Sequence, residues 1–303
     1  MRYVITGGTG LIGRALSASL AGDGHEVTIL SRNPSQHVAG LRSGITVAAW
    51  DPARPALWSD RLSGCDAVFN LAGAGIAEGR WTPSRKALIR SSRVQAGQAL
   101  VSAIERLADR PRCLVQATGV GYYGTRQQGA LAEASPAGDD FLASVCCDWE
   151  ASTVGVEALG LRRVVTRLGV VLSTAGGALP KMVLPFRLFV GGPLGHGRQP
   201  FPWIHIRDVV GAMRFLIDSP EASGVYNLVA PEAVDNAAFS RALGQALHRP
   251  SFLPAPAPAL RLALGEMAMM LLEGQQVSPA RLLAAGYPFR FSTASAALRD
   301  LLA

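Results

Sequence analysis

The 303-residue sequence predicts an α/β fold of the Rossmann type, a doubly wound parallel sheet with a smaller, mainly helical C-terminal lobe. Three observations predict this fold class. Strand-like and helix-like runs alternate over the first 175 residues, a glycine-rich turn follows the first strand-like run, and glycine and proline cluster beyond residue 176. Such alternation is typical of parallel sheets that are covered by helices on both faces.

The strand-like runs are short and rich in branched apolar residues, and they lie at 2–6, 26–30, 45–49, 66–71, 113–118, 163–168 and 225–229. The helix-like runs lie at 11–22, 84–107, 140–159, 205–218, 257–274, 279–285 and 293–302. We expect a dinucleotide-binding domain at 1–175 and a substrate lobe at 176–303 that includes a helical domain at 250–303. The strand at 225–229 is expected to return to the first sheet.

Composition excludes several classes of protein. Hydrophobic residues make up 49% of the chain and charged residues 17%, which excludes a disordered protein. The net charge of +7 comes from 29 basic residues, of which only Lys86 and Lys181 are lysines. The arginines are dispersed rather than clustered in a stripe, which favours an anionic small ligand over nucleic acid as the partner.

Localisation and metal content are predicted from what the sequence lacks. The N-terminal residues enter a strand-like run at once, and the apolar stretch 262–272 is interrupted by Glu266 and too short to span a bilayer. The four cysteines show no metal-ligand spacing. We therefore expect a cytoplasmic protein with reduced thiols, no bound metal and no membrane partner; a homodimer is one assembly that the sequence allows.

The glycine-rich turn VITGGTGLIG (4–13) places Gly7, Gly10 and Gly13 between a strand and a helix. Glycine permits a tight turn and lets the backbone approach a pyrophosphate, while the helix N-terminus supplies free N–H groups. The strand before it, the helix after it and the second strand beyond complete the expected context. Together with Thr9, Leu11 and Ile12, these glycines are predicted to bind a dinucleotide, whereas the alternative is a turn without a ligand.

The end of the second strand indicates which dinucleotide binds. NAD sites usually carry an acid there for the ribose 2′-hydroxyl, but this chain has Ser31-Arg32-Asn33-Pro34. An arginine at this point can pair with a 2′-phosphate, so Ser31 and Arg32 favour NADP over NAD. The alternative is a solvated loop arginine.

Nearly the whole chain resembles a known family. The stretches that carry the resemblance are GGTGLIG (7–13), SRNP (31–34), NLAG (70–73), IRSSR (89–93), GYYG (121–124), WE (149–150), GGPLGHGRQPFPWIHIRD (191–208), HRP (248–250) and GEMAMMLLEGQQVSP (265–279). With these, the chain resembles the extended short-chain dehydrogenase/reductase superfamily. Within it, the chain is most similar to an atypical branch labelled epimerase family protein, nucleoside-diphosphate-sugar epimerase or cell-division-inhibitor-like NADP-binding protein. In this branch, the region that 250–303 resembles is a helical domain of unassigned function.

The resemblance implies further cofactor contacts. Leu71, Ala72 and Gly73 match the segment after the fourth strand that contacts the adenosine half of the cofactor. Arg93 matches a cofactor-binding arginine, although a helix-surface ion pair is the alternative for this residue.

Two more positions follow from the same resemblance. Asp51 follows the third strand where the superfamily often has an acid near the adenine, but Pro52 departs from the usual apolar residue. Val170 lies just past the strand 163–168, where the chain usually passes the nicotinamide.

The catalytic pair of the superfamily is missing. Its active members use a Ser or Thr near the end of the strand 113–118, a Tyr one helix later, and a Lys four residues after that Tyr. Thr118 fits the first role, or Gly119 by an alternative alignment, but no tyrosine here has a lysine four residues later. In the helix FLASVCCDWE (141–150), Cys146 or Glu150 could replace the pair, but helical spacing of its apolar residues favours core packing.

The remaining candidates lie on the opposite wall. Tyr122 or Tyr123 could donate to a substrate oxygen, and packing is the alternative for both. Possible lining residues on the substrate side are Arg80, Trp81, Arg198, Trp203 and His205, of which His205 is better explained by a structural hydrogen bond.

Two functions remain open at this point. One is an atypical NADP-dependent oxidoreductase or epimerase on an unknown small, sugar-nucleotide-like substrate, with Thr118 and Tyr123 as catalytic candidates. The other is a non-catalytic NADP(H)-binding sensor or regulator, in line with the cell-division label.

Overall fold

The computed structural model describes residues 1–37, 42–125 and 129–303 and confirms the predicted fold class. Over these residues the strands are β1 (Arg2–Thr6), β2 (Glu26–Ser31), β3 (Ile45–Ala49), β4 (Ala67–Asn70), β5 (Cys113–Gly119), β6 (Ala130–Leu131), β7 (Arg162–Leu168), β8 (Val170–Leu172), β9 (Trp203–His205), β10 (Gly224–Leu228) and β11 (Gln276–Val277). Each predicted strand has a counterpart within one residue at either end. The short strands β6, β8, β9 and β11 were not predicted.

The helices over the same residues are α1 (Leu11–Gly22), α2 (Pro83–Glu105), α3 (Phe141–Ala151), α4 (Gly155–Ala158), α5 (Leu179–Arg187), α6 (Ile206–Asp218), α7 (Asn236–Leu247), α8 (Ala257–Leu264), α9 (Met269–Leu272), α10 (Ala280–Ala284) and α11 (Ala294–Leu302). The prediction missed α5 and α7. It also joined elements that the structure separates, namely α3 with α4, and α8 with α9.

Both separations have a local cause. Between α3 and α4, the hydroxyls of Ser152 and Thr153 donate to the carbonyls of Trp149 and Glu150, which competes with regular helical bonding. Between α8 and α9, Gly265 adopts a φ of 62°, a left-handed conformation that ends an α-helix.

Seven strands form one parallel sheet in the order β3-β2-β1-β4-β5-β7-β10 within the described residues. The strand order reverses between β1 and β4, because the chain first adds β2 and β3 on one side and then returns to the other. In open parallel sheets, ligands bind outside the carboxyl ends of the strands at such a reversal. The fold therefore places the predicted glycine turn at the expected point.

Helices cover both faces of this sheet, and the alternation within β1 shows how. Tyr3 and Ile5 point into the core under α1 and α6, whereas Val4 points into the core under α2. All three side chains are at most 3% exposed. Burying such an apolar side chain contributes about 1.5–3 kcal/mol each, so the two cores hold the strand ends in place.

The C-terminal elements form further packing units. A third core joins α5, α7 and α11 around Phe186, Phe239 and Leu298. The last strand of the main sheet, β10, comes from the second half of the chain and pairs with β7 from Gly224↔Val164 to Leu228↔Leu168. The division of the chain at residue 175 stays a prediction.

Candidate functional site

The glycine turn after β1 is closed against the end of β4. Gly7 has a φ of 67°, and a Cβ there would lie 2.6 Å from the carbonyl oxygen of Leu71. A Cβ on Gly13 would lie 2.5 Å from the carbonyl oxygen of Gly7 and would separate α1 from the turn. Only glycine fits these two positions, so the turn packs directly against the end of β4 and against α1.

The N-terminus of α1 faces the same place. Its N-cap is Gly10, whose amide donates to the carbonyl of Gly7 at 3.0 Å, and no side chain caps the helix. The first turn contains no acidic residue. Its free N–H groups and the positive end of its dipole are therefore available to an anion.

The other predicted residues of the turn occupy its two sides. The carbonyl of Thr9 accepts from the guanidinium of Arg14 at 2.8 Å. Ile12 is partly buried against the sheet core, while the side chain of Leu11 faces Gly177 in the loop after β8. That loop therefore borders the N-terminus of α1.

At the end of β2, the predicted 2′-phosphate site has an unengaged cation. Ser31 is buried, and its hydroxyl accepts from the amide of Asn33 at 3.2 Å. Arg32 is exposed and makes no hydrogen bond or ion pair with any residue that the structure describes. Two residues past the end of β3, Asp51 accepts from the amide of Ala53 at 2.9 Å and remains half-exposed.

Arg93 on α2 is a second cation without an acidic partner among the described residues, and it lies beside the segment that follows β4. Its side chain is buried against Gly73, where a Cβ would lie 3.0 Å from the guanidinium carbon, and it stacks over the Trp149 ring at 4.8 Å. It donates to the carbonyl of Ile89 but pairs with no carboxylate among the described residues. Burial lowers the pKa of this guanidinium. The surface ion-pair alternative does not fit this geometry, whereas a bound anion does.

Backbone amides form hydrogen bonds in the two segments predicted to contact the adenosine half and the nicotinamide, which follow β4 and β7. Gly73 is followed by Ala74, whose amide donates to the hydroxyl of Ser92 at 3.0 Å. Ala72 is buried in the core under α2. Val170 begins β8 and donates to the carbonyl of Pro202 at 2.7 Å, so it lies past the carboxyl end of β7 as the sequence predicts.

Three polar residues meet side by side at the carboxyl ends of β5, β7 and β10. Thr118 is the register partner of Arg167, and Arg167 is the partner of Asn227. All three are at most 3% exposed. The sequence analysis identified only Thr118. A basic residue and an amide near the ends of otherwise apolar strands are the signal that would have identified the other two.

Arg167 is the centre of this cluster. Glu150 on α3 accepts two hydrogen bonds from it, at 2.8 Å each, and also accepts from the hydroxyl of Thr118 at 3.0 Å. The guanidinium carbon lies 3.3 Å from the centroid of the Tyr122 ring. Burial opposes the charge of Arg167, but the bonds and charge of Glu150 outweigh it, so the pKa of Arg167 is raised.

Tyr123 is part of the same cluster. Its hydroxyl donates to the Asn227 amide oxygen at 2.8 Å and accepts from Arg167 at 3.1 Å. The side chain is 0% exposed, and burial raises the pKa of its hydroxyl. This geometry favours packing over substrate contact, the alternative that the sequence left open for Tyr123.

The helix α3 itself is a packing segment on one face. Val145, Cys146 and Trp149 are buried, as the apolar spacing predicts. Burial raises the pKa of the Cys146 thiol to about 12, so it stays protonated and unreactive near neutral pH. Glu150 differs from these buried residues because its carboxylate accepts hydrogen bonds from Thr118 and Arg167.

The proposed lining residues separate into two groups. Trp203 and His205 are buried within the lobe, and the Nδ1 of His205 accepts from the amide of Arg207, which caps α6. These two residues do not line a cleft. The structural explanation preferred for His205 fits the geometry.

The other group lies nearer the surface. Arg198 is exposed. Arg80 donates to the carbonyls of Leu262 and Ala263 on α8, and so connects the loop before α2 to the C-terminal helices. Trp81 is buried beside Phe141, in a cluster with the methionines of 267–270.

A cavity of about 440 Å³ adjoins this cluster, between the N-terminus of α3 and the segment α8–α9. It is lined by Thr125, Asp140, Arg261, Gly265, Glu266, Ala268, Met269, Leu272 and Glu273. No predicted cofactor residue lines it. The residues predicted to bind the cofactor lie instead beyond the carboxyl ends of β1, β2, β3 and β4 and on the neighbouring helices.

Two further searches covered the part of the chain that the structure describes. No helix there has both the length and the apolar character needed to cross a bilayer. No group of three or more metal-ligating side chains occurs there either.

The fold and the groove together define the class of protein. Residues 3–229 match the NAD dependent epimerase/dehydratase family, and the chain belongs to this family. Residues 255–301 match a domain of unknown function, DUF1731.

The relatives carry the same family label. The chain is 42% identical over 308 residues to the epimerase family protein SDR39U1 of Bos taurus, with both chains covered completely. A relative from Arabidopsis thaliana, 39% identical over 308 residues and covered over 87% of its length, is described as chloroplastic.

Solved structures agree with this assignment. The crystal structure of human SDR39U1 with NADPH superposes with a TM-score of 0.87 at 38% identity, covering 100% of this chain and 99% of the other. A nucleoside-diphosphate sugar epimerase from Corynebacterium glutamicum superposes at 0.77 and 35% identity, with 100% of this chain and 58% of the other covered.

Proposed function

We propose that this chain binds NADP(H) along the glycine turn, with Arg32 at the 2′-phosphate and Arg93 near the rest of the cofactor. The observation that carries this proposal is that two cations, Arg32 and Arg93, pair with no described carboxylate, close to a turn in which Gly7 and Gly13 leave no room for a side chain. The NADPH in the human relative supports it. In the same groove we propose contacts from Ser31, Asp51, Val170 and the segment 71–73.

The test of this proposal is calorimetry with NADPH and NADH on wild type and Arg32→Ala. Loss of a charge-assisted phosphate contact costs roughly 1.5–3 kcal/mol, so NADPH should bind about tenfold to over a hundredfold more weakly to the variant. NADH affinity should not change, and Arg106→Ala, an exposed arginine at the end of α2, serves as the control. Equal wild-type affinity for NADPH and NADH would refute the preference.

For the reaction, we propose an atypical oxidoreductase or epimerase on a small, sugar-nucleotide-like substrate. The bound cofactor would supply hydride exchange at its nicotinamide. Thr118 is the proposed substrate contact, because its hydroxyl hydrogen points to Glu150 and leaves a lone pair free to accept from a substrate hydroxyl. Glu150 and Arg167 are positioning residues that fix this hydroxyl, and Tyr123 supports Arg167.

This role makes Thr118 dependent on α3, because Glu150 of that helix accepts the hydroxyl hydrogen of Thr118. The discriminating experiment screens NADPH oxidation and NADP reduction on carbonyl and sugar-nucleotide panels. Thr118→Val should then lower kcat by about tenfold to a thousandfold, whereas Cys146→Ala should not change it. Tyr123→Phe should mainly shift the pH profile and stability, and a kcat loss equal to that of Thr118→Val would restore Tyr123 as a substrate contact.

A second candidate is a non-catalytic NADP(H) sensor. The specific observation in its favour is that the hydroxyls of Thr118 and Tyr123 are both already hydrogen-bonded inside the protein. This candidate predicts tight NADPH binding without turnover on any panel. The cytoplasmic location also stays a prediction.

A further inference from the structure

A second hollow lies in the C-terminal lobe, and none of the predicted cofactor residues lines it. It measures about 480 Å³, and its described lining is Arg241, Gly244, Gln245, His248, Arg249 and Ser251. This lining contains two arginines and a histidine but no carboxylate. The hollow lies in the stretch 230–254, between the two segments that match described families.

A sharp turn after α7 builds this hollow. His248 adopts a left-handed φ of 53°, and the amide of Arg249 then donates back to the carbonyl of Gly244 at 2.8 Å. A Cβ on Gly244 would lie 2.7 Å from the carbonyl oxygen of Arg249 and 3.1 Å from Ser251. Glycine therefore allows the turn to pack against the helix, on the face that also carries Arg241 and Gln245.

The Arg249 guanidinium is held in place, but one of its N–H groups has no hydrogen-bond partner among the described residues. It lies 4.6 Å from the Phe189 ring centroid and donates through Nη1 to the carbonyl of His248. Its Nε and the hydroxyl of Ser251 are buried, and both lack a hydrogen-bond partner among the described residues. Buried polar atoms normally have partners, so these two exceptions in the lining of one hollow point to a ligand that can bond to both.

We propose that this hollow binds a phosphate group, held by Arg241, Arg249 and Ser251. A guanidinium stacked on an aromatic ring keeps its N–H groups free in its own plane, where they match phosphate oxygens. A serine hydroxyl can donate to a third oxygen. Since no carboxylate lines the hollow, nothing there would repel an anion.

The rim of the hollow indicates that the phosphate belongs to an ester. Phe189 is 56% exposed, Phe252 67% and Leu253 47%. Phe189 lies against the Arg249 guanidinium, and Phe252 and Leu253 directly follow Ser251 in the chain. An apolar group attached to the phosphate would cover them. Such a group could belong to a small phosphate ester or to a phospholipid, and both present the same headgroup chemistry.

The test uses phenyl phosphate and inorganic phosphate as probes, at constant ionic strength and with the cofactor groove saturated by NADPH. Calorimetry should detect saturable binding to wild type, stronger for phenyl phosphate. Arg249→Gln should weaken it by about tenfold to a hundredfold, and Ser251→Ala by a smaller factor. Arg299→Gln, an exposed arginine on α11, is the matched control and should bind like wild type. Circular dichroism checks that each variant is folded.

A second arm separates the two sources of the phosphate. Wild type and Arg249→Gln are sedimented with phosphatidylcholine vesicles with and without phosphatidic acid. Arginine-dependent sedimentation would assign the site to a lipid headgroup, and phenyl phosphate binding without sedimentation would assign it to a small ester. The proposal is wrong if neither probe nor vesicles bind, or if Arg249→Gln binds them as wild type does.

Discussion

The glycine turn and the cluster around Thr118 differ in how their cations are paired. At the glycine turn, Gly7 and Gly13 leave no room for a side chain, and the nearby cations, Arg32 and Arg93, pair with no described carboxylate. Around Thr118 the polar side chains bond to one another, and the buried cation Arg167 pairs with Glu150 through two hydrogen bonds. Cations without an acidic partner can pair with an anionic ligand, whereas a buried cation paired with a carboxylate supports the structure.

The largest expected effect comes from removing the charge of Glu150, the partner of Arg167. Glu150→Gln leaves Arg167 buried without its charge partner, since the two side chains are 13% and 3% exposed. We expect the free energy of unfolding to fall by about 3–5 kcal/mol. Urea unfolding monitored by circular dichroism measures this loss.

A neighbouring ion pair provides the control. Asp148 on the same helix pairs with Arg90, and each side chain is 43% exposed. Asp148→Asn should therefore cost less than about 1 kcal/mol. Equal losses in the two variants would mean that the buried Glu150–Arg167 pair stabilises the fold no more than the exposed Asp148–Arg90 pair does.

The next largest effect comes from adding a methyl group at the glycine turn. In Gly13→Ala the new methyl group would meet the backbone of Gly7 and Gly8 at 2.5 Å, so the turn must move away from α1. We expect NADPH affinity to fall by about a hundredfold or more, roughly 2.7 kcal/mol. Calorimetry measures the affinity.

Gly22→Ala, at the other end of the same helix, is its matched control. A Cβ there has no atom within 4 Å. This variant should bind NADPH normally and be stabilised by about 0.5–1 kcal/mol, the usual gain of alanine over glycine in a helix. If Gly13→Ala also bound normally, the turn would not form the cofactor site.

The smallest effect is a pH dependence of stability that arises from His205, which lies outside both regions. Burial lowers the pKa of His205 below its usual 6.5. As pH falls below 6.5, the unfolded chain takes up a proton that the folded chain does not, so stability decreases. The slope for this one group cannot exceed about 1.4 kcal/mol per pH unit.

Thermal melting between pH 7.5 and 5.5 measures this slope, a range of about one unit on either side of the reference pKa. His205→Asn keeps a side chain that can cap α6 but removes the titrating ring. The variant should lose less stability than wild type over this range. An unchanged slope would assign the pH dependence to other groups.

Sequence alone predicts the sheet because its signals are local. Tyr3-Val4-Ile5 followed by the glycines of 7–13 defines strand, turn and helix within a dozen residues, and Arg32 lies where the second strand ends. The Glu150–Arg167 pair could not be predicted in this way, because it joins a helix to a strand and depends on the register of β5, β7 and β10.

The missed helices have different causes. In α5, Pro185 and the glycines before it favour a loop reading, yet the helix forms because Val183 and Phe186 pack into the lobe core. In α7 the signals were present, since Asp235 caps the helix and Phe239 and Leu243 share one face.

The return of β10 to the main sheet has a consequence for how the protein is made. Until residues 224–228 leave the ribosome, β7 has an open edge that exposes the backbone of Val164 and Val165. Unpaired apolar edges promote aggregation, and a pairing made so late in the chain slows folding. The edge of β7 therefore stays unpaired in the nascent chain until residues 224–228 have left the ribosome and joined the sheet.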